Sequence, residues 1–322
     1  MDKRLEQFED LLGQEVDKDV ALAKYTSYKI GGPAKYFFIA QNNEDLVRAV
    51  VFAKKCKIPA CVLGGASNVL ISDYGFNGLV IINKAKDIIF KSDNRVVADA
   101  GVILMVLVNQ TIKKGLVGLE WAAGIPGTVG GAVRGNAGAF RSETADNLIG
   151  VEIMRGSKQF ILSKEQCQFG YRDSIFKHNN DLIISAEFQL TPGDSAKAKA
   201  RLLEILAKRR AGQPLQYGSA GSVFKNVLIN ADNQNLADEI KDLPQEYREF
   251  KKIPAAWLIE QCGLKGKQIG QAQISDMHAN FIINLKGATA KDVKALIEEI
   301  KAEVKAKFGF KMEEEIQYLG SK

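Results

Sequence analysis

The sequence predicts a mixed α+β protein of two or three domains, on three observations. Its 322 residues exceed what one ordinary core organises. Apolar runs that suit strands are interspersed with apolar residues at helical spacing. Glycine gathers in two places: LGGASN at 63–68, and LEWAAGIPGTVGGAVRGNAGAF at 119–140, with six glycines between Gly124 and Gly138. Glycine at that density opposes helix and strand, because ordering it costs backbone entropy. It suits a backbone that needs positive φ or must come close to a ligand, and successive exposed N–H groups there make an anion site. Tight turns between core elements use the same residues. Two features favour the ligand reading. Ile125, Val129 and Val133 run between the glycines, so the loop is buried, and a second Gly-rich turn lies upstream.

Composition narrows the class. Apolar residues make up 46% of the chain, which suits a folded soluble protein with no disordered segment. No run of about 18 apolar residues occurs, so no membrane span is expected. Leu5, Phe8, Leu11 and Leu12 are spaced as on an amphipathic helix, not as the apolar core of a signal peptide. Cys56, Cys61, Cys167 and Cys262 show no CxxC spacing, which suits reduced thiols in the cytoplasm. The formal net charge of +6 is spread as mixed Lys and Glu and suits anionic small ligands. There is no basic block with interleaved aromatics, so no nucleic-acid partner is expected. His178 and His278 have no metal-ligand spacing, so no metal site is expected.

Taken in order, Ile30-Gly31-Gly32-Pro33 signals a turn and residues 34–40 a strand. Asn43 is the expected N-cap of a helix with Leu46, Val47, Val50 and Val51 on one face. Pro59 closes that unit. Residues 60–63 form a short buried strand running into Gly64-Gly65-Ala66-Ser67-Asn68. A strand entering a Gly-rich turn brings amides to a phosphate, although a plain tight turn has the same signature. Strands are expected at 69–82 and 95–100, and a helix at 103–114 ending before Gly115. Residues 151–160 and 181–190 read as strands flanking FGYRDSIFK at 169–177. Thr191-Pro192-Gly193-Asp194 is a turn and a candidate boundary, and 196–210 a helix rich in Lys and Arg. Beyond it the texture changes. GSAGSVFKN occupies 218–226, and the polar stretch 228–252 reads as an inserted surface segment. A short helix at 255–261 stops at Gly263, and 279–284 is a strand. Thr289, with Asp292 three residues on, nearly makes a capping box for a long helix. Its inner face is Val293, Leu296, Ile297, Ile300 and Val304, and Gly309 ends it. MEEEIQYLG closes the pattern at 312–320, and no fixed-period repeat is present.

The motifs TSYKIGGPA, LGGASNVLISDYGF, GLEWAAGIPGTVGGAVRGNAGAF, YRDSIFK, AGSVFKN, AAWLIEQCGLKG, HANFIIN and EEEIQYLG, in this order, resemble those of one family. Over nearly its whole length the chain is similar to the UDP-N-acetylenolpyruvoylglucosamine reductases, flavoenzymes of peptidoglycan synthesis. No single motif is specific; their number and order are. The resemblance implies an α+β, FAD-binding fold of the vanillyl-alcohol-oxidase (PCMH) type. Two α+β subdomains, 1–85 and 86–200, would hold non-covalent FAD, and a C-terminal α+β domain, 201–322, would bind substrate. It also implies NADPH as hydride donor and UDP-N-acetylglucosamine enolpyruvate as substrate, with a monomer working in the bacterial cytoplasm.

Matched position by position, the resemblance assigns catalysis to Arg172 in YRDS, Ser222 in AGSVFKN and Glu315 in the acidic run. Alone, such an Arg is ordinarily in a surface ion pair, and a Ser between Gly and Val is a turn or cap residue. Three consecutive glutamates are ordinarily a solvated charge run. The family pattern there is a carboxylate, a proline, the catalytic carboxylate and an apolar residue; setting Ile316 on the apolar position selects Glu315. Hydride delivered to the β-carbon of an enol ether conjugated to a carboxylate builds negative charge on the α-carbon and the carboxylate. Arg172 would bind that carboxylate and stabilise the charge. Ser222 would protonate the α-carbon. Glu315 would polarise or orient the carboxyl group, either protonated or paired through Arg172.

For the flavin pyrophosphate the candidates are Gly64, Gly65, Ala66, Ser67 and Asn68, with Gly124, Pro126, Gly127, Thr128 and Gly131; Asn136 and Gly138 would lie near the ring. Arg209 is either a flavin contact or a solvated helix end. Lys225 and Asn226, with Arg172, would touch substrate, and His278 reads as a hydrogen-bonded structural residue. The chain departs from the family at Ala66, a frequent glycine, at Val227 and Glu314, usual prolines, and at Gln317, often arginine. The short interval from Arg172 to Ser222 suits the subclass without an extra substrate-covering loop. Two other readings stay open. One is another flavin oxidoreductase of this fold, such as a hydroxy-acid oxidase; many of these tether flavin through a His or Cys, which both loops lack. The other is a nucleotide-binding module without catalysis, which would not need the Arg/Ser/Glu set.

Overall fold

The computed structural model describes Glu9 and residues 13–320. The expected amphipathic helix carrying Leu5, Phe8, Leu11 and Leu12 lies outside the described residues. The main strands are β1 (Asp17–Ala21), β2 (Pro33–Ala40), β3 (Ala60–Leu63), β4 (Val69–Ile71), β5 (Phe76–Asn83), β6 (Ile88–Phe90), β7 (Arg95–Asp99), β8 (Leu148–Arg155), β9 (Lys158–Ser163), β10 (Leu182–Gln189), β11 (Ala272–Ile274), β12 (Ile282–Asn284) and β13 (Gln317–Leu319). The main helices are α1 (Asn43–Lys55), α2 (Leu104–Lys113), α3 (Val129–Gly135), α4 (Ser195–Gly212), α5 (Gln234–Glu239), α6 (Gln245–Glu249), α7 (Ala255–Gln261) and α8 (Ala290–Phe308). The chain divides into two units. One holds residues 13–20, Ala34–Ala66 and Phe76–Ala211; the other holds Ala21–Pro33, Ser67–Gly75 and 212–320.

The first unit contains two sheets. In the order β1-β2-β5-β3, β5 runs parallel to both β2 and β3. Leu79, Val80, Ile81 and Ile82 are buried in succession, as a parallel strand covered on both faces requires. On this sheet α1 packs Leu46, Ala49, Phe52 and Ala53 against Tyr36, Phe38, Leu79 and Ile81. The expected face differs: Val51 is exposed, and alanines at 49 and 53 sit inward, where their small size lets the helix approach the sheet. The cap is Asn42, not Asn43; its side chain accepts from the Asp45 N–H at 2.8 Å.

The second sheet, β9-β8-β10-β7-β6, is antiparallel throughout. Residues 151–160, expected as one strand, belong to the hairpin β8–β9, turned by Gly156 at φ +69°. Beside this sheet lies the long glycine-rich stretch, and part of it is helical. Val129 and Val133 of α3 are fully buried, and a Cβ on Gly130 would lie 2.8 Å from the Ala100 Cβ. Burial and close approach outweigh the low helix propensity of glycine here.

In the second unit α8 is specified from both ends. Thr289 and Asp292 close a capping box, Gly309 at φ +75° ends the helix, and the five inner-face residues are all buried. Strand β13 pairs in parallel with β4, Gln317 facing Val69. Residues 228–252 are more than surface. Pairing of Val227 with Ile253 and of Leu228 with Lys252 closes the segment, α5 and α6 lie within it, and Ile229, Ala237 and Leu243 enter the core. The position expected as the last domain boundary, 200/201, lies inside α4, which stays with the first unit to Ala211.

Candidate active site

In the first unit the two glycine loops abut. Strand β3 delivers the chain to Gly64, where a Cβ would lie 2.2 Å from the Thr128 Oγ1. At Gly65 a Cβ would lie 2.9 Å from the Cα of Gly127. At Gly65 backbone therefore meets backbone, and at Gly64 it meets the Thr128 side chain, so a Cβ at either position would force a neighbour to move. The second loop is pinned to the turn that leaves β7: Val129 N–H donates to Val102 O and Gly130 N–H to Ala100 O, both at 2.9 Å. Thr128 caps α3, accepting from the Gly131 N–H at 3.5 Å. Ala66, where the family often has glycine, sits at φ +43°, a conformation that costs an alanine about 1 kcal/mol. Gly65 and Gly131 remain exposed. A bare-backbone cradle of this kind fits a dinucleotide pyrophosphate.

Asn136 and Gly138 adjoin Arg172. Asn136 is fully buried at φ +42°; its Nδ2 donates to Gly170 O at 2.9 Å and its Oδ1 accepts from the Ala145 N–H at 3.1 Å. Its side chain is thus occupied within the protein. Gly138 starts a two-residue-loop hairpin in which Ala139 faces Ser142. Arg172 donates to Gly138 O at 2.5 Å and to Asn136 O at 3.5 Å, with its guanidinium over the Tyr171 ring. Arg172 itself lies at φ +56°, and Lys177 Nζ donates to its carbonyl at 2.6 Å. Strain of this sort gathers at functional sites. Arg209 is not a solvated helix end. Its Cδ lies 2.9 Å from where a Gly124 Cβ would be, its Cζ lies 5.7 Å from the centre of the Phe140 ring, and burial pushes its pKa down.

Ser222, Lys225 and Glu315 come together in the second unit. Residues 222–225 run as the middle strand of a short ribbon. On one side Ser222 bridges Phe281, and Val223 N–H donates to Asn280 O at 2.8 Å. On the other, Glu315 N–H donates to Val223 O and Lys225 N–H to Glu313 O, both at 2.8 Å. The three glutamates are placed differently. Glu313 pairs with Lys225 Nζ at 2.5 Å, whereas Glu314 binds Lys301 and the Tyr318 hydroxyl. Glu315 is held through its backbone carbonyl, which accepts from Asn68 Nδ2 at 3.1 Å and from Gln317 Nε2 at 3.3 Å. The residue in the arginine place, Gln317, therefore braces this turn. Asn68, expected at the flavin, spends its side chain on Glu315, and Asn226 spends its own on the Ala255 N–H at the start of α7. Val227, in the second proline place, pairs with Ile253. His278 accepts from the Asn280 N–H at 3.3 Å and packs edge-on against Phe281; burial holds its pKa below the usual value. Sequence reasoning missed Asn280, whose signal was its place inside the HANFIIN motif.

Comparison with known proteins bears on this arrangement. Residues 34–158 match the FAD binding domain family, and residues 213–319 match the UDP-N-acetylenolpyruvoylglucosamine reductase C-terminal domain. A reductase of that name from Solibacter usitatus is 38% identical over 306 residues, 95% of this chain and 97% of the relative. One from Clostridium novyi is 36% identical, covering 99% of this chain and 96% of the relative. The crystal structure of the Thermus caldophilus reductase superposes with a TM-score of 0.75 at 32% identity, covering 95% of this chain and 99% of that one. A two-sheet FAD-binding unit with a glycine cradle, followed by an α+β C-terminal domain, defines a flavin-dependent oxidoreductase. More narrowly, the chain belongs to the UDP-N-acetylenolpyruvoylglucosamine reductase family. Neither a hydroxy-acid oxidase nor a non-catalytic module accounts for the C-terminal match.

Proposed function

We propose that the protein uses NADPH and FAD to reduce UDP-N-acetylglucosamine enolpyruvate to UDP-N-acetylmuramate, a step of peptidoglycan synthesis. The observation that carries this reading is the match to reductases of that name along nearly the whole chain. A cytoplasmic place of action follows from the nucleotide-linked substrate and NADPH. When bound, FAD supplies the hydride relay from NADPH to the β-carbon of the enol ether. The amides around Gly64, Gly65, Gly127 and Gly131 would hold its pyrophosphate, and the backbone of Asn136 and Gly138 would border its ring. Arg209, packed on Gly124 and Phe140, would support that wall of the cradle.

On the substrate, the arriving hydride leaves negative charge spread over the α-carbon and carboxylate. Arg172 takes that carboxylate with a guanidinium already oriented by two backbone carbonyls. Ser222 delivers a proton to the α-carbon, which completes the saturated ether. Glu315, tied by its amide to Val223, orients the carboxyl end. Lys225, now on Glu313, offers its ammonium to the substrate's anionic portion.

Stopped-flow absorbance of bound flavin separates the steps. NADPH should bleach the flavin of Ser222→Ala near the wild-type rate, because that half-reaction needs no proton at the α-carbon. Reoxidation by the enolpyruvyl substrate should slow by about 10²-fold or more. Ser222→Cys should retain more of that second step than alanine. A Ser222→Ala protein reoxidised as fast as wild type would remove Ser222 from the mechanism. A wild-type protein that the substrate does not reoxidise would overturn the activity itself.

A further inference from the structure

We propose that Asn280 is the positioning residue that sets the Ser222 hydroxyl for proton delivery. The inference rests on Ser222 being the proton donor. Asn280 is 3% exposed. Its Nδ2 donates to Phe224 O at 2.8 Å, and its Oδ1 accepts from the Phe224 N–H at 2.9 Å. One side-chain amide thus satisfies both polar groups of one peptide position, as a neighbouring strand would. The Asn280 carbonyl adds a third bond, from the Val223 N–H at 2.8 Å. Two consecutive residues directly after Ser222 are therefore fixed by a single residue.

The other flank of Ser222 is not braced in this way. Gly221 precedes it at φ +74°, and a Cβ there would meet nothing within 4 Å. Upstream, the Gly221 N–H donates to the Ser219 Oγ at 3.4 Å, longer than the three bonds at Val223 and Phe224, so Ser222 takes its orientation chiefly from the residues that Asn280 holds. Asn280 is itself held: its N–H donates to His278 Nδ1, and the His278 ring packs on Phe281, which bridges Ser222. Only a primary amide presents a donor and an acceptor spaced to match a peptide edge. Removing it leaves the Phe224 N–H and C=O buried without partners, and the segment must shift to satisfy them.

The holoenzymes Asn280→Leu and Asn280→Ser provide the test, in the same two half-reactions. Leucine conserves volume and removes both side-chain bonds; serine keeps one polar group. Flavin content and bleaching by NADPH should stay close to wild type. Reoxidation by UDP-N-acetylglucosamine enolpyruvate should slow by roughly 10- to 100-fold, the scale of a displacement near 1 Å, more for leucine than for serine. The solvent deuterium isotope effect on reoxidation should rise as proton transfer becomes limiting. Reoxidation at the wild-type rate in either folded variant overturns the proposal. So does a parallel loss of flavin and of both half-reactions in the serine variant, which would mark a packing role. If the leucine protein does not hold flavin, the serine protein decides on the same terms. A slow Ser222→Ala beside normal Asn280 variants removes only the positioning role, whereas a normal Ser222→Ala removes the donor and with it this inference.

Discussion

A methyl group at Gly65 tests whether the two glycine loops form one cradle. The added Cβ would lie 2.9 Å from the Gly127 Cα and 3.5 Å from its N and C. Carbon atoms in contact prefer about 3.5–4.0 Å, so one loop must retreat by at least about 0.6 Å. No rotamer relieves this, because Gly127 presents only backbone. Nor is Gly127 loose: its carbonyl accepts from the Leu104 N–H at 3.1 Å, and Val129 is bonded to Val102. Overpacking of this sort costs about 1–3 kcal/mol. Taken from the FAD-bound state, that weakens FAD binding by roughly 5- to 150-fold. Titrating apoprotein with FAD and following flavin fluorescence measures the change. Gly212→Ala is the control, since a Cβ there meets nothing within 4 Å. If Gly65→Ala binds FAD and melts like wild type, the loops are not in the contact described. If only the melting temperature falls, the contact is structural and FAD does not sit on it.

Arg172→Ala and Glu315→Gln should each cut turnover by about 10²-fold with FAD retained. Glu313→Gln and Glu314→Gln, whose carboxylates face Lys225 and Lys301, should do less; equal losses in steady-state assays would reassign the catalytic carboxylate. The Tyr28 hydroxyl is buried with no hydrogen-bond partner among the described residues, so Tyr28→Phe should leave the melting temperature unchanged or raise stability by up to about 1 kcal/mol. A clear drop would reveal a partner for that hydroxyl. Burial holds the His278 pKa down, Lys265 adds to this, and a backbone hydrogen bond and Glu260 oppose it. The unfolded chain then binds the proton first, so stability is full above about pH 6.5 and is lost as pH falls toward the lower folded value. His278→Gln should flatten that acid-side loss in a melting-temperature profile, and an unchanged slope would count against the shift.

Elements specified by neighbours within a few residues were legible from the sequence. Thr289, Asp292 and Gly309 bound α8, and its inner face follows the helical period without exception. The strand entering Gly64 was legible for the same reason, as was the family, through motifs that survive as short strings. What depended on distant partners was not. The glycines of 119–140 argued against a helix, yet α3 forms because Val129 and Val133 are buried and Gly130 lets it close on Ala100. Residues 67–75 join the C-terminal third through β4 and β13, and 21–33 through Asn284 Nδ2 on the Tyr28 carbonyl and Ser27 Oγ on the Ser219 carbonyl, partners that no local pattern announces. Asn68 reads locally as a phosphate-loop residue, and nothing local announces that its amide also holds the Glu315 carbonyl across a separation of 247 residues. Asn280, Phe224 and Val223 meet in the same way. Side-chain periodicity records which face of an element is buried, whereas the partner of a buried amide is fixed only when two faces have packed and its polar groups must be satisfied there.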